Sequence, residues 1–157
     1  MVRRILPLLF AAAFAASAQS EKYTGPLPPK PDLPYLKHAD SLIPTDAGEA
    51  TEEKKKNDIL YVIPGANAKA RTPLTSPILL MQADKLVPDK LGLFKLEVKN
   101  GRRELLSSPK KPPQPIRMEV TRLSGNVYKI EVDESLEPGE YSLSPDGSNQ
   151  VFCFQVY

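Results

Sequence analysis

Asp133, Glu134, Glu137 and Glu140 lie within eight residues of one another. A pair of carboxylates is the minimum equipment for general acid–base cleavage of a glycosidic bond. Acidic turns are also the ordinary solvated ends of strands, and a domain of about 100 residues leaves little room for a substrate cleft. The solvated reading is therefore the expectation, with a small hydrolase using the turn near Glu137 as the competing one. The means for other chemistry are sparse: one His (His38), one Cys (Cys153) and no Trp. Zinc and copper sites draw three or four ligands from His, Cys and carboxylates, which this set does not supply. Neither a Gly-x-Ser-x-Gly elbow nor a Gly-rich phosphate loop occurs. Cys153 stands between two Phe and reads as a small core residue, or as one half of an intermolecular disulfide. No cofactor and no catalytic set is expected.

Two groups of residues suggest binding instead. Arg102, Arg103, Lys110, Lys111 and Arg117 fall around one connection and form a candidate patch for an anionic partner such as envelope polysaccharide or lipid headgroups. Leu33, Tyr35, Leu36, Leu42 and Ile43 are too apolar for a free linker, and form a candidate docking strap over Asp32 to Pro44. With Arg3 and Arg4 set aside, 19 Lys and Arg face 19 Asp and Glu, so no global field draws the remaining chain to nucleic acid.

The elements that must position these groups are strands. Beyond Asp58, short apolar runs recur between turn residues, which predicts an all-β domain of about seven or eight strands. They are expected at Ile59 to Ile63, Ile78 to Gln82, Leu93 to Lys99, Arg103 to Ser107, Ile116 to Leu123, Val127 to Val132, Glu140 to Ser144 and Val151 to Tyr157. Phe94, Leu96 and Val98 alternate with Lys95, Glu97 and Lys99, as do Tyr128, Ile130 and Val132 with Lys129 and Glu131; each such strand buries one face. Ser124-Gly125-Asn126 and Asn100-Gly101 read as tight hairpin turns. At the second, a two-residue loop would oppose Glu97 to Glu104 and Lys99 to Arg102, an unfavourable pairing of like charges. A three-residue loop with a glycine bulge, which sets Glu97 against Arg103, is the expectation. Pro109 to Pro115 cannot join a ladder and should form an exposed crossover.

Ahead of the strands the pattern changes. Residues 1–18 combine Arg3 and Arg4, an apolar run from Ile5 to Ala16 and the small residues Ala16-Ser17-Ala18, the form of an export signal cleaved before Gln19. The run is too short to span a bilayer, and no transmembrane segment is expected in the mature chain. Sixteen of the seventeen Pro follow it. Residues 19–57 hold six of these and the charge run Glu52 to Lys56, and read as an extended, largely irregular arm, with a marginal helix over Asp46 to Lys56 and mobility from Ala47 to Asp58.

Leu136-Glu137-Pro138-Gly139-Glu140-Tyr141-Ser142-Leu143 resembles the turn-and-strand segment of small exported bacterial immunoglobulin-like and fibronectin type III-like β-sandwich modules. That resemblance implies a Tyr141 that faces the core and bonds back to nearby backbone. The segment also looks like the Pro-Gly-x-Tyr strand of periplasmic copper-resistance sandwiches, but the several His of their metal sites have no counterpart here. The expectation is a single small antiparallel immunoglobulin-like β-sandwich over 58–157, preceded by signal and arm. It is exported to the periplasm or beyond, non-catalytic, and binds an unknown protein or envelope polysaccharide. An accessory subunit of an extracytoplasmic enzyme is the alternative.

Overall fold

A computed structural model describes residues 22–157, so the expected export signal lies outside the described residues. The described chain is all-β, with strands β1 (Tyr35–His38), β2 (Ser41–Pro44), β3 (Asp46–Glu49), β4 (Thr51–Lys55), β5 (Asp58–Pro64), β6 (Arg71–Thr72), β7 (Ile78–Gln82), β8 (Leu91–Lys99), β9 (Arg102–Ser107), β10 (Met118–Ser124), β11 (Val127–Val132), β12 (Gly139–Pro145) and β13 (Gln150–Val156). All eight runs of alternating or apolar sequence fall on strands, because each presents an apolar face that only a sheet of this period can bury.

Two sheets share these strands in a sandwich-like arrangement. The first is antiparallel in the order β10-β11-β7-β1-β2. The second follows β3-β13-β12-β8-β9-β5-β4, with β6 added in parallel beside β13. Its two ends, β3 and β4, are separated in sequence by Ala50 alone. One nearly continuous strand therefore carries both edges, pairing with β13 through Asp46–Glu49 and with β5 through Thr51–Lys55. The sheet curls round until its ends meet, which removes its open edges as barrels do.

Alternation along β8, β12 and β13 separates two interiors. Leu93, Tyr141, Leu143, Phe152, Phe154 and Val156 point away from the curl and meet Leu36, Leu79, Met81 and Ile130 of the first sheet in the main core. Tyr141 and Phe154 stack there with ring centroids 5.7 Å apart. Leu96, Val151, Cys153, Ile63, Ala50 and Ala68 form the second, smaller core inside the curl.

Three sequence expectations are corrected. Residues 35–55, expected as part of an irregular arm, form four strands that belong to both sheets. Pro44 ends β2, an edge strand whose unpaired side needs no N–H, so proline density and strand pairing coexist there. The stretch Asp46 to Lys55, expected as a marginal helix within a loose segment, forms β3 and β4 instead: its charged residues line the seam where the curled sheet closes, and partners far away in sequence override the local i to i+4 pattern. The Asn100-Gly101 hairpin has the two-residue loop, with φ of 53° and 73° and Glu97 opposite Glu104. The repulsion is offset because Arg102 Nε donates to Glu104 at 2.7 Å and Lys99 pairs with Glu97 at 3.3 Å. The strand total also exceeds the seven or eight expected, owing to β1 to β4 and the short β6.

Candidate functional site

A cavity of about 430 Å³ opens within the curled sheet, at the lower end of the range of about 300 to 1,000 Å³ usual for ligand pockets. Its walls follow from strand register. Phe94 sits opposite Ser142, and Gly92 opposite Ser144, so all four share the inner face of β8 and β12. Tyr61 sits opposite Leu105, placing both on the inner face of β5 and β9. Val151 and Ala50 complete the lining near the seam, and Asp89, Lys90 and Asp146 to Asn149 form the rim.

The inner face of β12 is unusual for a central strand. Glu140, Ser142 and Ser144 alternate with the core residues Tyr141 and Leu143, so a polar row runs from the closed end of the curl toward its mouth. The Ser142 and Ser144 hydroxyls lie 3.0 Å apart on the cavity wall, and the Ser142 hydroxyl donates to the Leu143 carbonyl at 3.3 Å.

Below the cavity the curl is plugged. Residues 64–70 cross its base, and three inward side chains hold them. Glu140 Oε1 accepts the Ala68 N–H at 2.5 Å, Asp46 accepts those of Lys69 and Ala70 at 2.5 and 3.2 Å, and Arg103 donates to the carbonyls of Gly65 and Pro64 at 2.9 and 2.7 Å. Burial pushes the Glu140 carboxyl above its ordinary range despite Ala68 and Arg103, and burial likewise raises the Cys153 thiol, which is not the state of a nucleophile.

One side of the cavity is lidded rather than hydrogen-bonded. β8 pairs with β12 over Leu91–Leu96 but with β9 only over Glu97–Lys99, so the ladder parts above Glu97. The crossover 108–116 runs past this gap, with Pro113 and Pro115 lining the cavity. Its pairing with β8 is a single bridge, Ile116 N–H to the Leu93 carbonyl at 2.8 Å. Pro112, Pro113 and Pro115 lack the N–H groups that would zip the gap shut.

The candidate basic patch is not one surface. Arg103 is buried at the plug; Arg102 is bound by Glu53 and Glu104. Lys110 and Lys111 lie beyond the far end of β9, about 17 Å long, beside a separate open hollow with Leu106. Arg117 precedes the first sheet's β10 and pairs with Asp133 at 3.3 Å. Adjacency in sequence across hairpins did not become adjacency in space, because alternate residues of β9 face opposite sides. The acidic turn is divided similarly: Glu137 is exposed and bonded to Lys95 at 2.8 Å, whereas Glu140 is interior and not solvated. Of the apolar strap, Tyr35 and Leu36 are buried on β1, Leu33 and Ile43 pack against the main core, and Leu42 is half-buried. His38 is exposed at the end of β1.

Sequence reasoning missed the cavity, the polar row of β12, Asp46 and Asp32. Glu140-Tyr141-Ser142-Leu143-Ser144 did carry a signal, strict alternation, but alternation does not tell whether the polar face meets water or a closed interior. Among the described residues no group of three or more His, Cys, Asp or Glu gathers in metal-binding geometry, and no helix is long and apolar enough to cross a membrane. The chain matches no protein-family model, no curated protein and no solved structure.

Proposed function

We propose that the protein is an exported, non-catalytic, immunoglobulin-like β-sandwich module that acts by binding in the cell envelope or outside it, and that the cavity of the curled sheet is its binding site. The cavity carries this reading: it is lined by apolar side chains on most sides, bounded by a few convergent polar groups and closed at its base, the usual form of a small-molecule site. Tyr141 supports the immunoglobulin-like part, since its hydroxyl donates to the Glu137 carbonyl at 2.6 Å, four residues upstream, as in a tyrosine corner. The separation of Glu137 from Glu140 supports binding over hydrolysis, because the two carboxylates do not face a common cleft.

Two measurements test it. N-terminal sequencing of protein from its native host is expected to begin near Gln19; an uncleaved cytoplasmic chain would overturn export. N-phenyl-1-naphthylamine, a neutral fluorescent probe, is expected to bind the wild-type protein and to lose affinity for Leu105→Trp, whose indole fills the cavity. Equal binding by both would remove the cavity as the site.

A further inference from the structure

Charge and hydroxyl placement within the cavity narrow its ligand. The lining side chains that carry charge, Asp89, Lys90 and Asp146, are exposed rim residues of mixed sign. Arg103 and Glu140 lie deeper and do not line the cavity; Arg103 Nε and Nη2 and Glu140 Oε1 hold the plug, and Arg103 Nη1 and Glu140 Oε2 are buried without hydrogen-bond partners among the described residues. An ionised group brought inside would lose its water without gaining a counter-charge, which is strongly unfavourable.

The polar wall, by contrast, is ready for one neutral partner. A serine hydroxyl offers one donor and two acceptor positions. With the Ser142 proton given to the Leu143 carbonyl, Ser144 gives its own to Ser142, and both oxygens keep lone pairs for an incoming donor. Phe94 and Leu96 flank them on the neighbouring β8, and Tyr61, Ile63, Leu105 and Val151 complete the apolar lining. At about 30 Å³ per water-sized group, a body of roughly eight to ten carbons fits with room for packing.

We infer that the cavity binds an uncharged amphiphile of about this size, bearing a single hydroxyl or amide N–H that donates to the Ser142–Ser144 pair while its apolar body rests against the apolar lining. The inference depends on the cavity being the binding site.

Isothermal calorimetry at pH 7.5 with the full chain separates the two claims, using four probes of one chain length: 1-octanol, its methyl ether, octanoate and octylammonium. Leu105→Trp and, should that variant fail to fold, Ser107→Phe at the half-buried mouth report what part of any binding belongs to the cavity. Octanol is expected to bind at least tenfold more tightly than either ion and several-fold more tightly than the ether. The double substitution Ser142→Ala, Ser144→Ala is expected to weaken octanol by about three- to tenfold, the range of one net hydrogen bond, and to leave the ether unchanged. Octanoate or octylammonium matching octanol would overturn the uncharged ligand, and the ether matching octanol, or octanol indifferent to the serine pair, would overturn the donor; in each case the site stands. Binding of all four probes that ignores the cavity-filling variants, or no binding at all, would overturn the site and the inference with it.

Discussion

Arg103 and Glu140 face each other across the inside of the curled sheet, Nη1 to Oε1 3.9 Å, with side chains only 7% and 3% exposed. They sit on β9 and β12, which are not neighbours, and each is fastened separately to the 64–70 plug, so the pair joins two walls and the base. At this distance the attraction is not a hydrogen bond, and Arg103 Nη1 and Glu140 Oε2 are without partners among the described residues.

A pH dependence follows. Burial raises the Glu140 carboxyl above the ordinary 4.5 despite the opposing Ala68 N–H and Arg103. A carboxyl whose folded pKa is raised takes up protons more readily folded than unfolded. Its contribution is therefore full below about pH 4.5 and declines as pH rises through the raised folded value. Glu140→Gln keeps an acceptor for Ala68 but cannot ionise, so urea unfolding should give a flatter stability profile from pH 4.5 to 7 than wild type. Glu140→Ala leaves Arg103 buried without its partner and should cost about 3 to 5 kcal/mol at pH 7. An unchanged profile in Glu140→Gln would refute the assignment.

Asp32 ties the segment before β1 to the chain after β7. Its carboxylate accepts the backbone N–H groups of Asp84, Lys85 and Leu86 at 2.9 to 3.0 Å. Partial burial works to raise its pKa, but these donors outweigh it and hold the group below its ordinary range. A depressed carboxyl contributes stability that is present above the unfolded value and lost as pH falls through the folded one. Asp32→Ala should cost about 2 kcal/mol at pH 7, less at pH 3, and should quicken tryptic cutting after the exposed Lys85, whose N–H Asp32 holds. Asp32→Asn should fall between wild type and Ala.

Tyr141→Phe removes the hydroxyl bonded to Glu137 and leaves the ring stacked on Phe154. The expected loss is about 1 kcal/mol in thermal or urea unfolding. Tyr141→Ala also empties a site in the main core and should cost about 3 to 5 kcal/mol. Similar effects from both would mean that the corner hydrogen bond dominates and the stacking does not.

Arg102 relieves the like-charge register of the β8–β9 hairpin. It bonds Glu104 and, through two nitrogens, Glu53 at 2.9 and 3.2 Å. Arg102→Ala should lower the urea midpoint, since it leaves Glu104 and Glu97 opposed without a neutralising cation, and Arg102→Lys should recover only part because one ammonium cannot reproduce the fork. Glu104→Gln in the Arg102→Ala background should restore stability, as measured by urea unfolding.

The same hairpin marks the limit of what the sequence made legible. Eight strands were readable because alternation such as Tyr128-x-Ile130-x-Val132 is local. The register at Asn100-Gly101 was not, because Glu53, which helps neutralise it, arrives from β4. β4 itself, Thr-Glu-Glu-Lys-Lys, has no apolar face and owes its conformation to pairing with β5. Closure of the curled sheet rests on that pairing and on Asp46–Glu49 beside β13, both long-range. The cavity exists only once the curl closes, so no window of sequence announced it, and the alternation of Glu140, Ser142 and Ser144 does not tell which surroundings their face meets. Arg103 was singled out for its charge, but its burial depends on carbonyls at Pro64 and Gly65 that turn inward.

The most direct test of the cavity as a binding site is amide and methyl chemical-shift mapping of the isotopically labelled protein titrated with 1-octanol. The largest changes are expected at Ser142, Ser144, Phe94, Leu105 and Val151, with the outward-facing Tyr141, Leu143 and Phe152 moving less and Lys129 on the far sheet not at all. Saturable changes centred anywhere else, or no saturable change in these five residues, would contradict it.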